Sequence, residues 1–367
     1  MPRPTFPRAP DARFEALTRR VRSLDGVRLA EAIPPACFEP QPWRGLLGFA
    51  LSYALYGLAL AGVAHAPHWL YWPPLYVLAG LGGWGLHCIA HDCGHQSFSR
   101  SRLLNTVVGQ AALLPLLYPY HAWRHVHHLH HRHTNHLELD TDWRPVSAEV
   151  HARMPPLDRA LYSATRSWAF WAGTMRYWWV CTFRPGFFPE RAMRREVRRS
   201  TLVVGLAGGL CLALLLRLAG PRGLLLYGVL PWVSIHAWFS ATTLMHHVRS
   251  DLPFLSSAYW TPNAGRLLLT TDYRYPWLLE LLTHHISLHT AHHVAPAVPF
   301  YHLPRAQAAL MQAFPGMVTQ RRFSFGELLE VLRFCRFFDP ERGYYAASPL
   351  NVDRAAAKAD LSSGGPR

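Results

Sequence analysis

The sequence is poor in acidic residues and in regularly spaced cysteines. It has 22 acidic residues against 37 basic ones, and its six cysteines form no CxxC pair and no regular framework. This spacing argues against an iron–sulfur centre, a zinc ribbon or a disulfide scaffold, so we expect reduced thiols. The N-terminus is charged and proline-rich with no early apolar core, and it therefore predicts no cleavable signal peptide.

The formal net charge of +15 raises the question of a nucleic-acid ligand. The arginines, however, flank apolar runs, as they do in the cytoplasmic loops of membrane proteins. No basic helix and no zinc-knuckle pattern accompanies them. We therefore predict no nucleic-acid partner.

What the sequence does contain is long uncharged apolar runs, within a composition that is 50% hydrophobic. Runs of this length are typical of helices that cross a bilayer. They predict an all-α integral membrane protein with four transmembrane helices, interfacial helices and a cytoplasmic helical cap. The predicted spans cover about residues 46–64, 69–90, 201–216 and 223–245.

Shorter apolar segments, mixed with polar or aromatic residues, predict helices that lie in the membrane interface or on the cap. These segments are Leu103–Leu117, Leu157–Phe183, Ala264–Leu282 and the amphipathic stretch Phe325–Phe337. The predicted organisation is a cytoplasmic leader at 1–44 with a short helix over Asp11–Leu24, a membrane domain at 45–310, a cytoplasmic helical extension at 311–345 and a disordered tail at 346–367.

The distribution of arginine predicts the orientation in the membrane. Five arginines lie between Arg191 and Arg199, which indicates that this segment is cytoplasmic. Both termini are then cytoplasmic, and only Ala64–His68 and Arg217–Arg222 lie outside. We expect a multi-pass protein of the bacterial inner membrane whose active site faces the cytoplasm.

Histidines recur at helical spacing in three places, each beside a predicted membrane segment. Side chains at i, i+3 and i+4 lie together on one helical face, so they can direct several imidazole nitrogens at one point. This spacing occurs twice as HxxHH and once as an i, i+4 pair. The histidines concerned are His127, His130 and His131, then His289, His292 and His293, and the pair His91 and His95.

Eight imidazoles are too many for one ion, and they suit a pair of transition-metal ions. Carboxylates beside them are expected to hold ring N–H groups in the required tautomer. These carboxylates are Asp92, Glu138, Asp140 and Asp142. His236 lies inside the fourth predicted span, where a functional role and simple hydrogen-bonded packing are equally compatible with the sequence.

Three stretches of this sequence resemble the histidine boxes of the integral-membrane fatty acid desaturases, in the branch that acts at the Δ12 and ω3 positions of acyl lipids. The first is HDCGHQSFSRSRLLNTVVG, the second PYHAWRHVHHLHHRHTNHLELDTDW, and the third LLLTTDYRYPWLLELLTHHISLHTAHHVAPAVPFYHL. The resemblance covers about residues 45–310. Two departures are the extra His125, His128 and His133 in the second box, and Val294-Ala295 where the branch usually has Leu-Phe.

The resemblance implies the metal ligands residue by residue. It assigns His91, His95, His127, His130, His131, His289, His292 and His293, together with a ninth ligand from the end of the last span. Alignment on Pro253 gives His247 as this ligand, with His246 and His285 as competing choices.

The resemblance also implies the reaction. Two iron ions, O2 and two electrons would remove two hydrogens from adjacent methylenes of a fatty acyl lipid, leaving a cis double bond. A related hydroxylase or ketolase acting on an alkane, lipid or carotenoid would share the metal chemistry but insert oxygen. A metal transporter is the non-enzyme alternative, although it needs polar ligands within the spans and His236 is the single candidate.

Electrons must come from a separate protein. The chain has no HPGG stretch of a fused b-type cytochrome, and its GxGxxG match at Gly80–Gly85 lies in an apolar run with no strand before it. We expect a ferredoxin or a b-type cytochrome as donor, attracted by a basic surface. The arginines of this surface are Arg184, Arg191, Arg194, Arg195, Arg198 and Arg199.

Overall fold

The computed structural model describes residues 12–340 and 343–345, and helices dominate this part of the chain. The helices of the first half are α1 (Ala12–Arg22), α2 (Pro42–His65), α3 (Trp72–His95), α4 (Arg102–Leu113), α5 (Tyr120–Arg132), α6 (Ala148–Arg153), α7 (Pro156–Thr165) and α8 (Gly173–Phe183). Those of the second half are α9 (Arg191–Leu224), α10 (Leu230–His247), α11 (Pro262–Leu267), α12 (Trp277–Leu282), α13 (His289–Val294), α14 (Leu303–Ala313) and α15 (Phe325–Phe334).

Helix α3 is the centre of the bundle, packing against α2, α4 and α10. Small residues allow this close packing. A side chain at Gly82 would meet the backbone nitrogen of Tyr56 at 2.7 Å, and one at Gly80 would meet the carbonyl oxygen of Ser234 at 2.8 Å. The GxGxxG match at Gly80–Gly85 therefore serves helix packing, and no phosphate-binding loop is built there.

The chain reverses direction within the long helical stretch that follows Arg191. Gly220 has φ 65° and ψ −168°, and Pro221 follows it. The side chains of Leu212 and Leu215 lie close to Gly228. In a continuous helix these positions would be about 20 Å apart. The third and fourth predicted spans therefore form a helical hairpin that reverses at Gly220 and Pro221, and a π-helical segment over Leu225–Val229 follows the reversal.

Two helical segments of the described chain are long and apolar enough to cross a membrane, namely Pro42–His65 and Arg191–His247. The first contains the first predicted span, and the second contains the third and fourth. Helix α3, which contains most of the second predicted span, does not meet the same criteria. The mostly helical fold is thus confirmed, while the number of four spans stays a prediction.

The part of the chain predicted to be cytoplasmic differs in detail from the predicted helices. The interfacial segment Ala264–Leu282 divides into α11, the strand β1 (Thr271–Arg274) and α12, and β1 pairs in parallel with β2 (Thr319–Arg322). The predicted helix Phe325–Phe337 ends at Phe334, because Phe337 begins the hairpin of β3 (Phe337–Asp339) and β4 (Gly343–Tyr345). Propensity alone does not reveal such short strands, since backbone pairing with distant segments creates them.

The N-terminal leader is part of the folded molecule from residue 12 onward. Helix α1 matches the helix predicted over Asp11–Leu24, and Leu24 and Leu29 pack in one apolar cluster with Leu267 of α11 and Leu310 of α14. All six cysteines are free, as expected. Residues 1–11 and the tail predicted to be disordered at 346–367 lie outside the described residues.

Candidate metal centre

Four helices bring the predicted histidines to one end of the bundle. Helix α3 ends at His95, with His91 one turn earlier, and α10 ends at His247. Helix α5 presents three histidines at i, i+3 and i+4, and α13 begins at His289. Each helix carries its histidines on one face, so four short segments of chain can enclose a common centre.

Five imidazoles form one group, the five-histidine cluster: His91, His95, His127, His131 and His292. One ring nitrogen from each lies within 4.8 Å of the others. The Nε2 atom of His131 is 3.0 Å from Nε2 of His127 and 3.0 Å from Nε2 of His292.

The second group, the four-histidine cluster, is formed by His130, His247, His289 and His293. Ring nitrogens of His130, His247 and His293 lie within 4.8 Å of one another. The Nε2 atom of His289 is 2.8 Å from that of His247 and 2.9 Å from that of His293, so His289 supplies a fourth nitrogen.

The two clusters together contain all nine histidines that the sequence predicts as ligands. Of the competing candidates for the ninth position, His247 lies in a cluster. His246 instead donates from Nδ1 to the carbonyl oxygen of Thr271 at 2.6 Å, and His285 lies 4.0 Å from Glu280 outside both clusters.

The three extra histidines of the second box, His125, His128 and His133, lie outside both clusters. His125 is 3.1 Å from the carboxylate of Glu196 on α9. His125 therefore contacts a neighbouring helix, whereas His128 packs against His95 with ring centroids 5.2 Å apart and His133 follows the end of α5.

Two buried histidines lie between the helices rather than in the clusters. His236 hydrogen-bonds through Nδ1 to the hydroxyl of Thr174 at 2.8 Å, which supports the packing interpretation of that residue. His87 stacks on Trp84, with ring centroids 4.9 Å apart, and neither of its ring nitrogens has a partner among the described residues. The sequence analysis did not single out His87, although it precedes His91 by one helical turn.

Burial favours the neutral form of most of the clustered imidazoles. Removal from water lowers the pKa of His127, His131, His292 and His293 well below its ordinary value, and repulsion by neighbouring imidazoles lowers it further. A neutral imidazole has a free lone pair, which is the form that binds a metal ion.

Hydrogen bonds orient two of the clustered imidazole rings, those of His130 and His293. The Nδ1–H group of His130 donates to Asp140 at 2.7 Å, and that of His293 donates to the hydroxyl of Thr134 at 3.0 Å. Burial lowers the pKa of His130, but the carboxylate of Asp140 raises it by more, so the net shift is upward. Both bonds place the ring proton on Nδ1 and leave Nε2 free to bind a metal.

The expectation for the four carboxylates is confirmed for Asp140 and is wrong for two others. Asp92 accepts a hydrogen bond from the backbone N–H of Phe300 at 2.8 Å, which ties α3 to the chain after the third box. Glu138 lies 3.0 Å from His136, a residue outside the clusters. Asp142 lines the cavity beside the four-histidine cluster.

Two buried polar residues that support the centre were missed. Asp272 accepts hydrogen bonds from the backbone N–H of Thr290, at 2.7 Å, and from the amide of Gln307, so it holds the beginning of α13. Asn135 donates to the carbonyl oxygen of His247 at 3.0 Å, holding the end of α10. Asp272 is an acidic residue inside the third stretch and precedes its histidines, and this position was a sequence signal that could have identified it.

A small cavity of about 30 Å³ adjoins the histidines. Apart from histidines and Asp142, its walls are formed by aromatic side chains, one isoleucine and three threonines. Six of these lining residues are Trp84, Trp123, Tyr177, Phe239, Thr242 and Ile286.

The donor set fits bound metal ions. Ligand nitrogens about 3 Å apart form the edges of a coordination shell whose metal–nitrogen bonds are about 2.1 Å long. The buried Nε2 of His95 has no hydrogen-bond partner among the described residues, as expected of a nitrogen whose partner is an ion. All-nitrogen donor sets favour transition metals over magnesium or calcium.

Known proteins are similar in sequence to most of this chain. A family model described as fatty acid desaturase matches residues 67–325. The chain is 31% identical over 326 residues to the sn-1 oleoyl-lipid 12-desaturase of Synechocystis sp., covering 89% of this chain and 92% of the relative. It is 33% identical over 306 residues to the enzyme of the same name from Arthrospira platensis, covering 83% and 86%.

A chloroplast enzyme is also similar in sequence to this chain. The chain is 30% identical over 319 residues to the omega-6 fatty acid desaturase of Spinacia oleracea, covering 85% of this chain and 69% of the relative. The match to the family spans three of the four predicted membrane helices and all nine clustered histidines. This chain therefore belongs to the fatty acid desaturase family and is an oxidoreductase with a histidine-lined metal site.

Proposed function

We propose that this enzyme introduces a cis double bond at the Δ12 position of an oleoyl chain carried by a membrane lipid. The convergence of nine histidines from four helices is the observation that carries the proposal. The names of the relatives, which specify oleoyl-lipid 12-desaturation, supply the substrate and the position. The reaction consumes O2, two electrons and two protons, and yields the alkene and two molecules of water.

The five-histidine and four-histidine clusters would each hold one iron ion. Bound iron would supply the oxidising power that removes hydrogen from an unactivated methylene. The protein itself orients the ligand rings through Asp140 and Thr134 and excludes water with Trp84, Phe239 and Ile286.

Apolar surface supports a membrane location. Leucines on α2 and α9 are exposed in the isolated chain, among them Leu58, Leu206 and Leu218. Exposed apolar faces of this extent belong in a bilayer. We place all nine ligands on the cytoplasmic side of a bacterial inner membrane, beside the arginines that begin α9. Residues 45–310 would form the membrane domain and 311–345 its cytoplasmic extension.

Electrons would come from a ferredoxin or a b-type cytochrome. Arg191, Arg195, Arg198 and Arg199 are exposed at the start of α9, next to α5. An acidic donor protein would be attracted to this surface.

Expression in a host that lacks polyunsaturated lipids tests the proposal. We expect a diunsaturated C18 chain with the new cis bond at C12, and about two iron ions per purified chain. A hydroxylated product, or a single zinc ion per chain, would contradict it.

A further inference from the structure

A second, larger cavity opens on the flank of the bundle beside the metal centre. This lateral groove has a volume of about 990 Å³, within the range of ligand pockets. Its walls come from α3, α10, α12 and α15, and most of its lining is apolar. The lining includes Val77, Ala237, Trp238, Ala241, Leu279 and Leu328.

Thr242 connects the lateral groove to the metal centre, because it lines both the groove and the small cavity beside the histidines. Ala237 and Ala241 lie on the same helix as Thr242 and leave space along it. The groove and the small cavity therefore meet at Thr242, and this side chain stands between an apolar chain in the groove and the histidines.

Two arginines line the groove, and the other lining residues are uncharged. Arg274 of β1 and Arg322 of β2 are paired in register, and both are exposed. Neither forms an ion pair with another described residue, whereas the adjacent Arg321 lies 3.4 Å from Asp251. Like charges directly opposite each other on neighbouring strands are destabilising, so this pair is suited to an anion from outside the chain.

Large apolar side chains surround these arginines at the surface. Trp277 is 77% exposed and Phe325 is 75% exposed, and Leu278, Leu281 and Leu329 are exposed with them. Arginine and tryptophan together at an apolar surface are typical of the membrane–water interface. The groove therefore opens where lipid headgroups meet acyl chains.

We propose that the lateral groove binds a glycerolipid with an anionic headgroup, such as a phosphatidylglycerol. The phosphate lies against Arg274 and Arg322, and one acyl chain runs along α10 past Thr242 to the histidines. This proposal rests on the proposed function and adds the lipid class that the site selects. An acyl carrier protein also presents a phosphate, but it would leave the exposed Trp277 and Phe325 in water.

The test uses the purified, iron-loaded enzyme in nanodiscs of saturated phosphatidylcholine, with a small fraction of dioleoyl phosphatidylglycerol or dioleoyl phosphatidylcholine. Retention of each oleoyl lipid after delipidation is measured by native mass spectrometry, and desaturation of each is measured separately. We expect the wild-type enzyme to prefer phosphatidylglycerol over phosphatidylcholine in both measurements. In the double variant Arg274→Gln/Arg322→Gln, the ratio of phosphatidylglycerol to phosphatidylcholine retained, and the ratio desaturated, should each be about tenfold lower.

Two variants control for charge and folding. Arg274→Lys/Arg322→Lys keeps the positive charge and should retain most of the preference, and Arg333→Gln removes an exposed arginine of α15 outside the groove. Equal retention of both lipids by the wild-type enzyme, or faster conversion of oleoyl carrier protein, would overturn the proposal. Headgroup-selective retention without any desaturated product would leave the lipid site standing and contradict the proposed function.

Discussion

Asp140 orients one of the ligand rings, that of His130. It is buried and accepts the Nδ1–H of His130 at 2.7 Å, while its other oxygen accepts the backbone N–H of Asn135 at 2.6 Å. We expect Asp140→Asn to weaken metal retention by about 10- to 100-fold. Iron per chain, followed during titration with a chelator, measures this. Glu138→Gln is the matched control, since Glu138 contacts His136 and should leave retention unchanged.

Substitutions of two histidines that lie two positions apart on α5 should have different effects on activity and on bound iron. His127 belongs to the five-histidine cluster, whereas His125 faces Glu196. We expect His127→Ala to abolish desaturation and to reduce bound iron to about one ion per chain, because one coordination shell is opened. His125→Ala should retain iron and most activity. If His125 proves essential and His127 dispensable, the assignment of the second box is wrong.

The sequence predicts the clustered residues well because helical spacing is a local property. His127, His130 and His131 lie on one face wherever the helix is placed. The supporting contacts are not local. Asn135 reaches His247, which is 112 positions away, and a sequence alone carries no signal for that separation.

At the scale of helices, the contact of α2 with α3 depends on the absence of a side chain at Gly82. We expect Gly82→Ala to destabilise the protein by about 1–3 kcal/mol, despite the higher helix propensity of alanine, because the methyl group would meet the α2 backbone. Gly57→Ala is the control, since a methyl group there meets nothing within 4 Å. Thermal unfolding in detergent should show a lower Tm for the first variant and an equal or higher Tm for the second.

The start of α9 is the element that should recognise the electron donor. Arg195 and Arg198 are exposed, whereas Arg194 donates to the carbonyl oxygen of Phe188 at 2.8 Å and serves the fold. We expect Arg195→Gln/Arg198→Gln to raise the donor concentration for half-maximal activity about tenfold and to flatten its salt dependence.

The matched control for this donor surface is Arg22→Gln/Arg28→Gln, which removes the same charge from the N-terminal segment. An unchanged titration with reduced ferredoxin in the α9 variant would assign those arginines to lipid headgroups and membrane orientation alone.

Element boundaries show where sequence patterns are insufficient. Uncharged apolar runs predicted helices where α2 and the helical hairpin lie, but α9 begins at Arg191, about ten residues before the predicted span. It did not predict β1 and β2, whose pairing joins Thr271 to Thr319 across the third box. The arginine pair of the lateral groove depends on that register.

For the whole molecule, the predicted orientation can be measured with single cysteines. The exposed Cys211 is first replaced by serine. A membrane-impermeant maleimide applied from the outside should label His68→Cys and should not label Leu139→Cys, which is exposed beside the centre. Labelling at Leu139→Cys in intact cells would contradict a cytoplasmic site. Buried positions such as Gly94 or Thr290 are unsuitable, because a reagent cannot reach them.

The membrane class and the convergence of the three boxes could be foreseen for the molecule as a whole, because composition and repeated spacing report them directly. The packing of the N-terminal leader against the rest of the chain could not be foreseen from the sequence. Leu24 and Leu29 join the apolar cluster of α11 and α14, a contact between the two ends of the chain that local patterns do not encode.

The division of ligands between the clusters has a consequence for biosynthesis. Each cluster needs α13, whose histidines are the last of the nine to leave the ribosome: His292 completes one and His289 and His293 the other. Roughly 200 residues separate the first ligand from the last, which at about 5–20 residues per second is about 10–40 s of translation. Neither set of imidazoles is complete during that interval, so metal binding to either cluster is a late step of synthesis, and a nascent chain stalled before His289 holds an open set of imidazoles.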